Sequence, residues 1–247
     1  MITDPLFYLV AIPAVLLFGM SKGGLSGGPG LLAVPLMSLV LEPVQAAAIL
    51  LPILCIMDLV VLWSFRGKYH LYHLKLLIPA GIAGIVIAAV SMDLFTPDAT
   101  RVVVGLIAVI FCLQFWLMRP VEQGRRPGPI KGYVWGFIAG FTSTQIHAGG
   151  PPLTIYLLPQ QLDKVILIGT MGVFFAVINY IKLIPYTLLG QFDTANLTAS
   201  LILMPFAPVG VRLGYWMLHH IEQKSFYSLL YLFLLLSGCK LVYDGLL

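Results

Sequence analysis

Apolar runs alternate with short polar stretches along the whole chain. They cover roughly 6–20, 30–41, 44–65, 74–91, 100–118, 131–143, 150–159, 164–188, 196–218 and 225–246. Polar positions do not recur within them at the spacing of an amphipathic surface helix, so each run reads as a helix buried on all sides or facing lipid. A full bilayer crossing needs about 20 residues. Six of the runs reach about that length, 6–20 is marginal, and 30–41, 131–143 and 150–159 are too short. The marginal and short runs flank two glycine-rich stretches, Gly19 to Pro35 and Gly149-Gly150-Pro151-Pro152-Leu153.

Positive charge orients the runs. Arg66, Lys68 and Lys75 place the 66–75 loop on the cytoplasmic side, and Arg119, Arg125, Arg126 and Lys131 do the same for 119–131. The 92–99 loop carries Asp93 and Asp98, and 189–195 carries Gln191 and Asp193 without a base, so both face out. Lys224 beside His219 and His220 puts 219–224 inside. Two spans separate 159 from 219, so the piece between 131 and 159 must return to the face it left. It is therefore expected to be a re-entrant helical hairpin. The earlier stretch 6–41 is its counterpart, entering from outside.

The two stretches are also related in sequence. Gly27-Gly28-Pro29-Gly30-Leu31 aligns with Gly149-Gly150-Pro151-Pro152-Leu153, and on the same offset Ser21 aligns with Ser143 and Asp58 with Tyr180. Pro79 and Gly84 are echoed by Pro205 and Gly210. The predicted fold is an all-α polytopic membrane protein of two inverted-topology repeats, each with a re-entrant helical hairpin and three transmembrane helices. The halves are 1–118 and 132–247, joined by a cytoplasmic linker at 119–131, with both termini outside.

Composition supports a membrane protein. The 247 residues are 60% hydrophobic and 10% charged, with a mean hydropathy of +0.97, too apolar for a soluble domain. The net charge of +4 sits in loop clusters that set topology and form no stripe for nucleic acid. Cys55, Cys112 and Cys239 lie inside apolar runs with no paired spacing, so neither a metal site nor a cofactor is expected. Leu6 to Phe18 lacks a basic flank and a small-residue cleavage site, so it is expected to stay as structure rather than act as a signal peptide.

Irregular backbone at membrane depth survives only where protein buries it or where it lines a wet cavity. The two glycine tips are therefore expected to meet. Glycine lets backbone N–H groups approach a ligand, and Pro29 and Pro151 suit the first turn of the helix leaving each tip, so two helix N-termini would face one anion. Gly27, Gly28, Gly149 and Gly150 would supply backbone donors. Ser21, Lys22, Ser26, Ser143, Thr144, Gln145 and His147 would supply side-chain donors, with Asn179 and Tyr180 flanking the same cavity. Asp58 and Lys182 are the other ionisable groups in the spans, where charge is costly and marks function. Asp58 would carry a coupling proton or cation such as sodium, or neutralise Lys22 or Lys182. His147 would be either a proton switch or a hydrogen-bond donor.

Two other classes fit parts of the pattern. Gly24-Leu25-Ser26-Gly27-Gly28 matches the Gly-x-Ser-x-Gly of serine hydrolases, with His147 as a base. That elbow needs a strand-to-helix turn, and the glycines recur without the serine, so an enzyme is not expected. A passive anion channel or a membrane subunit of a larger complex shares the two-tip layout. Asp58 with Lys22 and Lys182 favours a coupled carrier.

The run at 19–30 followed by Pro35, the second Gly-Gly-Pro at 149–151, and Pro79 with Gly84 together resemble the TauE/SafE family of sulfite exporters, sulfur-anion permeases of the plasma membrane. The resemblance covers essentially the whole chain. It implies a secondary transporter, in the exporting direction, of a small sulfur-containing anion such as sulfite or a sulfonate. The second tip departs from the glycine-rich pattern with Ser143-Thr144-Gln145-Ile146-His147-Ala148, whose bulk would tailor the site.

Overall fold

The computed structural model describes residues 4–25, 29–92, 96–117, 128–220 and 224–247. All of its regular elements are helical: α1 (Pro5–Gly23), a 3-10 turn Pro29–Leu32 running into α2 (Ala33–Met37), α3 (Pro43–Ser64), α4 (Leu71–Met92) and α5 (Pro97–Leu117). They continue as α6 (Pro129–Ile146), α7 (Gly150–Leu157) with a 3-10 turn Leu158–Gln160, α8 (Lys164–Leu188), α9 (Thr194–Leu203), α10 (Phe206–His220) and α11 (Lys224–Leu246). Ser26, Gly27, Gly28, Asp93 and residues 119–127 of the expected linker fall outside the described residues.

Local chemistry sets the ends. Proline opens α1, α3 and α6, where a missing N–H costs nothing. The carboxylates of Asp4, Asp163 and Asp193 accept from the first free N–H groups of α1, α8 and α9. Among the described residues, α1, α3, α4 and α8 are long and apolar enough to cross a membrane, and α9 with α10 makes a fifth such unit bent by 44°. That bend differs from the continuous helix expected over 196–218. Pro205 stands at the break, where it can neither donate to the helix ladder nor clear the preceding turn. Pro13, Pro52, Pro79 and Pro185 lie inside unbroken helices.

A second difference concerns the arms of the glycine tips. The arm expected at 6–20 runs to Gly23, and its counterpart expected at 131–143 runs from Pro129 to Ile146. At 1.5 Å per residue both are about 27–28 Å long. The returning arms are short. After the first tip the chain leaves through a four-residue 3-10 turn and the five-residue α2, not through one continuous α-helix.

Four helix pairs carry most of the packing. α1 lies on α10 while α6 lies on α4; α3 faces α8, and α5 faces α11. The close contacts use glycine. A side chain on Gly19 would meet the backbone of Gly210, and one on Gly23 would lie 2.1 Å from the Val211 carbonyl oxygen. Across the molecule, one on Gly84 would lie 2.2 Å from the Phe137 carbonyl, and one on Gly140 would lie 2.1 Å from that of Gly81. Between helices already surrounded by apolar matter, such backbone approach supplies the packing that hydrophobic exclusion cannot. Much of the glycine run at 19–24 thus serves helix contact.

Loops gather at two ends of the bundle. Glu42 lies 3.9 Å from Arg101, Gln45 donates to Asn196, and Gly245 touches the Asp98 carbonyl at one end. At the other end the His70 amide donates to Thr170, Phe65 meets the ring of Tyr215, and His73 Nδ1 lies 3.0 Å from the Tyr156 hydroxyl. Large apolar side chains such as Leu9, Trp63, Val90 and Leu188 point outward, while Asp58, Asn179 and Lys182 are buried. This inversion of a soluble protein's pattern is what a lipid surround demands.

Candidate functional site

Three helix faces converge on one cavity. Phe18, Ser21 and Lys22 come from the last turns of α1; Leu54, Asp58 and Val61 from α3; Ile168, Met171, Gly172, Phe175 and Asn179 from α8. Their spacings of three and four residues put each set on a single helix face. Gly30 and Leu31 enter from the first tip, and Ser143, His147 and Gly150 from the second. The cavity volume is about 40 Å³, room for a few waters or one compact ion rather than a drug-sized ligand.

Lys22 and Asp58 form an ion pair through Asp58 Oδ1, and Asn179 Nδ2 donates to Asp58 Oδ2 at 2.6 Å. The Lys22 ammonium also lies 5.7 Å from the centre of the Phe175 ring, within cation–π range. Lys182, fully buried, donates to the Ser143 carbonyl at 2.9 Å, to Ser143 Oγ at 3.0 Å and to His147 Nδ1 at 2.9 Å. Those three acceptors use all three ammonium protons. No carboxylate comes within 4 Å of Lys182 among the described residues. Two lysines with buried side chains thus lie at the site with one paired carboxylate, that of Asp58.

His147 closes α6 with a left-handed backbone, φ 56°, uncommon for a residue with a Cβ. Its Nε2 lies 2.9 Å from the Ala47 carbonyl, which can only accept, so Nε2 carries the proton. Nδ1 lies 2.9 Å from Lys182 Nζ and 3.1 Å from the Ser143 carbonyl, and in the neutral ring it is the acceptor of the Lys182 proton. Both nitrogens are occupied by protein. His147 therefore supports the site by fixing the second tip and holding Lys182, and has no donor left for a ligand.

The structure sorts the other expected site residues. Ser21, Lys22, Ser143, Gly150, Asn179 and Asp58 line the cavity with His147. Thr144 is buried but bonds within its own helix to the Gly140 carbonyl, and its carbonyl accepts from Tyr186. Gln145 points away, to Ser91 and the Ala88 carbonyl on α4. Gly149 is wedged among Ala139, Ser143 and Phe175. Tyr180 is 42% exposed on the outer face of α8 and does not line the cavity, because one residue's step from Asn179 turns a side chain by about 100°.

The expectation of two helix N-termini facing one anion is also corrected. The 3-10 turn and five-residue α2 after the first tip are too short to build a helix dipole there. At the second tip, Pro151 and Pro152 remove two of the first donors of α7. Positive charge at the site therefore comes from Lys22 and Lys182. Phe175 and Tyr186 are site-supporting residues that the sequence reading missed. Phe175 falls four residues before Asn179 and seven before Lys182, and that helical spacing was the available clue.

The family profile described as Sulfite exporter TauE/SafE matches residues 11–241, nearly the whole chain and every element that frames the cavity. The chain belongs to the sulfite exporter TauE/SafE family. No curated protein and no solved structure matches it. Membership of a TauE/SafE family of transporters, together with apolar helices of spanning length, makes this chain a multi-pass membrane transport protein. The family name points to sulfite and related sulfur anions as cargo.

Proposed function

We propose that this chain is a secondary active transporter that exports a small sulfur-containing anion of the sulfite or sulfonate class across the plasma membrane. The anion binds between the two glycine-rich tips, in contact with Lys22, Ser21, Ser143 and Gly150. One observation carries the reading: Lys22 lines the cavity, Lys182 is bonded to its wall residues Ser143 and His147, and among the described residues Asp58 is the one carboxylate paired with either lysine. A surplus positive charge inside a membrane is costly unless something neutralises it, and an anion does so.

In this reading the halves 1–118 and 132–247 are inverted repeats, each contributing a re-entrant hairpin. The reciprocal packing of α1 on α10 and α6 on α4 supports it, as does the gathering of loops at two ends in the pairs that charge assigns. Alternating access follows from one half rocking on the other about the shared cavity. Asp58, which forms its ion pair with Lys22, is the group where a coupling proton or sodium ion would act. A hydrolase reading gains nothing from His147, whose nitrogens are both engaged.

The test is thermal stabilisation of the purified protein in detergent by sulfite, sulfate, thiosulfate, sulfoacetate, isethionate, taurine, and matched carboxylates and cations. Stabilisation confined to sulfur oxyanions supports the proposal. Stabilisation by cations alone overturns it.

A further inference from the structure

Asn179 carries more information than its bond to Asp58. It stands in the cavity wall at 1% exposure, and its Nδ2 donates to Asp58 Oδ2 at 2.6 Å. Turning the amide over would set two oxygens face to face at that distance, so the orientation is fixed by the carboxylate that Lys22 keeps paired. Asn179 Oδ1 then faces away from Asp58, and it finds no donor among the described residues. A buried acceptor without a partner is costly, and in a binding cavity it selects ligands that bring the missing donor.

The rest of the wall offers the opposite chemistry. Lys22 has donors beyond the one given to Asp58, and Ser21 and Gly150 lie beside it. A ligand must therefore be mostly acceptor, with one donor of its own. Charge selects too. With both lysines and Asp58 ionised and His147 neutral, the groups leave a surplus of one positive charge, which a monoanion cancels and a dianion overshoots in a medium of low dielectric.

We infer that the site selects a singly charged sulfur oxyanion that still carries a proton, such as hydrogen sulfite in its O–H form rather than the sulfite dianion, with Asn179 Oδ1 accepting from that proton. This rests on the anion-carrier reading above and names the protonation state of its cargo. Asn179 is then a specificity-determining residue. Thr144, Gln145 and Tyr180, which turn elsewhere, have no part in the choice.

Two ions of nearly equal size and shape isolate the claim. Sulfamate and methanesulfonate are both monoanions with the same three oxygens, but only sulfamate has N–H donors; sulfate is a dianion of similar size. Binding to the purified full-length protein is measured by calorimetry for all three. Sulfamate is expected to bind about tenfold more tightly than methanesulfonate, the effect of one unsatisfied buried acceptor, and sulfate more weakly than either. In Asn179→Leu the two monoanions should come within about twofold of each other, through loss of sulfamate affinity. The wild-type comparison stands even where that variant does not fold. Equal binding of sulfamate and methanesulfonate, or tightest binding of sulfate, overturns the inference while leaving an anion site in place. Failure of all three ions and of sulfite to bind overturns the anion-carrier reading and this inference together.

Discussion

Lys182 Nζ lies 2.9 Å from His147 Nδ1, so a lysine in the C-terminal third of α8 holds the ring that caps α6. The link is one of three that Lys182 makes to the second tip, and the other ring nitrogen reaches across to Ala47 on α3. The tip is thus tied to both central helices. The same side chain is bonded to two residues of the cavity wall, Ser143 and His147.

Replacing Lys182 by methionine keeps most of the volume and removes the charge. The account expects at least a tenfold loss of anion affinity, by calorimetry with sulfite. It also expects a lower melting temperature, because Ser143 and His147 are left with unpaired acceptors worth about 1–3 kcal/mol each. Lys182→Arg should not rescue binding, since a planar guanidinium cannot reproduce three tetrahedral bonds in that space.

Lys22 and Asp58 should behave as one unit. Lys22→Met or Asp58→Asn alone strands a buried charge, at a cost of about 3–5 kcal/mol. The double variant should be more stable than the sum of the two singles implies. A double-mutant cycle on melting in detergent reads the coupling directly. Simple additivity would mean that the pair is not formed in the folded protein.

The glycine contacts give a stability prediction with an internal control. Gly23→Ala and Gly140→Ala place a methyl about 2.1 Å from a backbone carbonyl of the facing helix, and each should lower the melting temperature severely or prevent purification. Gly128→Ala has open space around it and an ordinary φ of −72°, so it should be neutral. Comparable loss for all three would show that the α1–α10 and α4–α6 contacts are not what these glycines serve.

Topology can be read by labelling single cysteines from either side of the membrane, in a Cys239→Ala background because that thiol is exposed. Lys68→Cys is expected to react only from the cytoplasm and Thr194→Cys only from outside. Both positions are exposed at opposite ends of the bundle. Labelling of both from one side would contradict the inverted arrangement of the halves.

Much of this was legible in the sequence because the bilayer imposes a coarse rule. Apolar runs of fixed length and the charge of the loops between them gave every long helix to within a few residues, from α3 to α8. The bend at Pro205 was not legible, since Pro13, Pro52, Pro79 and Pro185 carry the same residue type without a break. At the site, Lys22, Asp58, Asn179 and Lys182 stood out because polar groups are rare in such helices. The aim of each side chain was harder to read. Gln145 and Tyr180 carry polar groups as Asn179 does, but a helix turns each to a different neighbour. The role of the glycines also divides between tip and packing, which spacing within one helix does not reveal without its partner.

The most direct test of the central claim is counterflow of radiolabelled sulfite in proteoliposomes carrying the wild-type chain or Lys182→Met. Saturable uptake driven by unlabelled sulfite inside the vesicles, lost in the variant, is the result expected of a carrier whose cavity charge binds the anion. Flux that does not saturate, shows no counterflow and persists unchanged in Lys182→Met would contradict it.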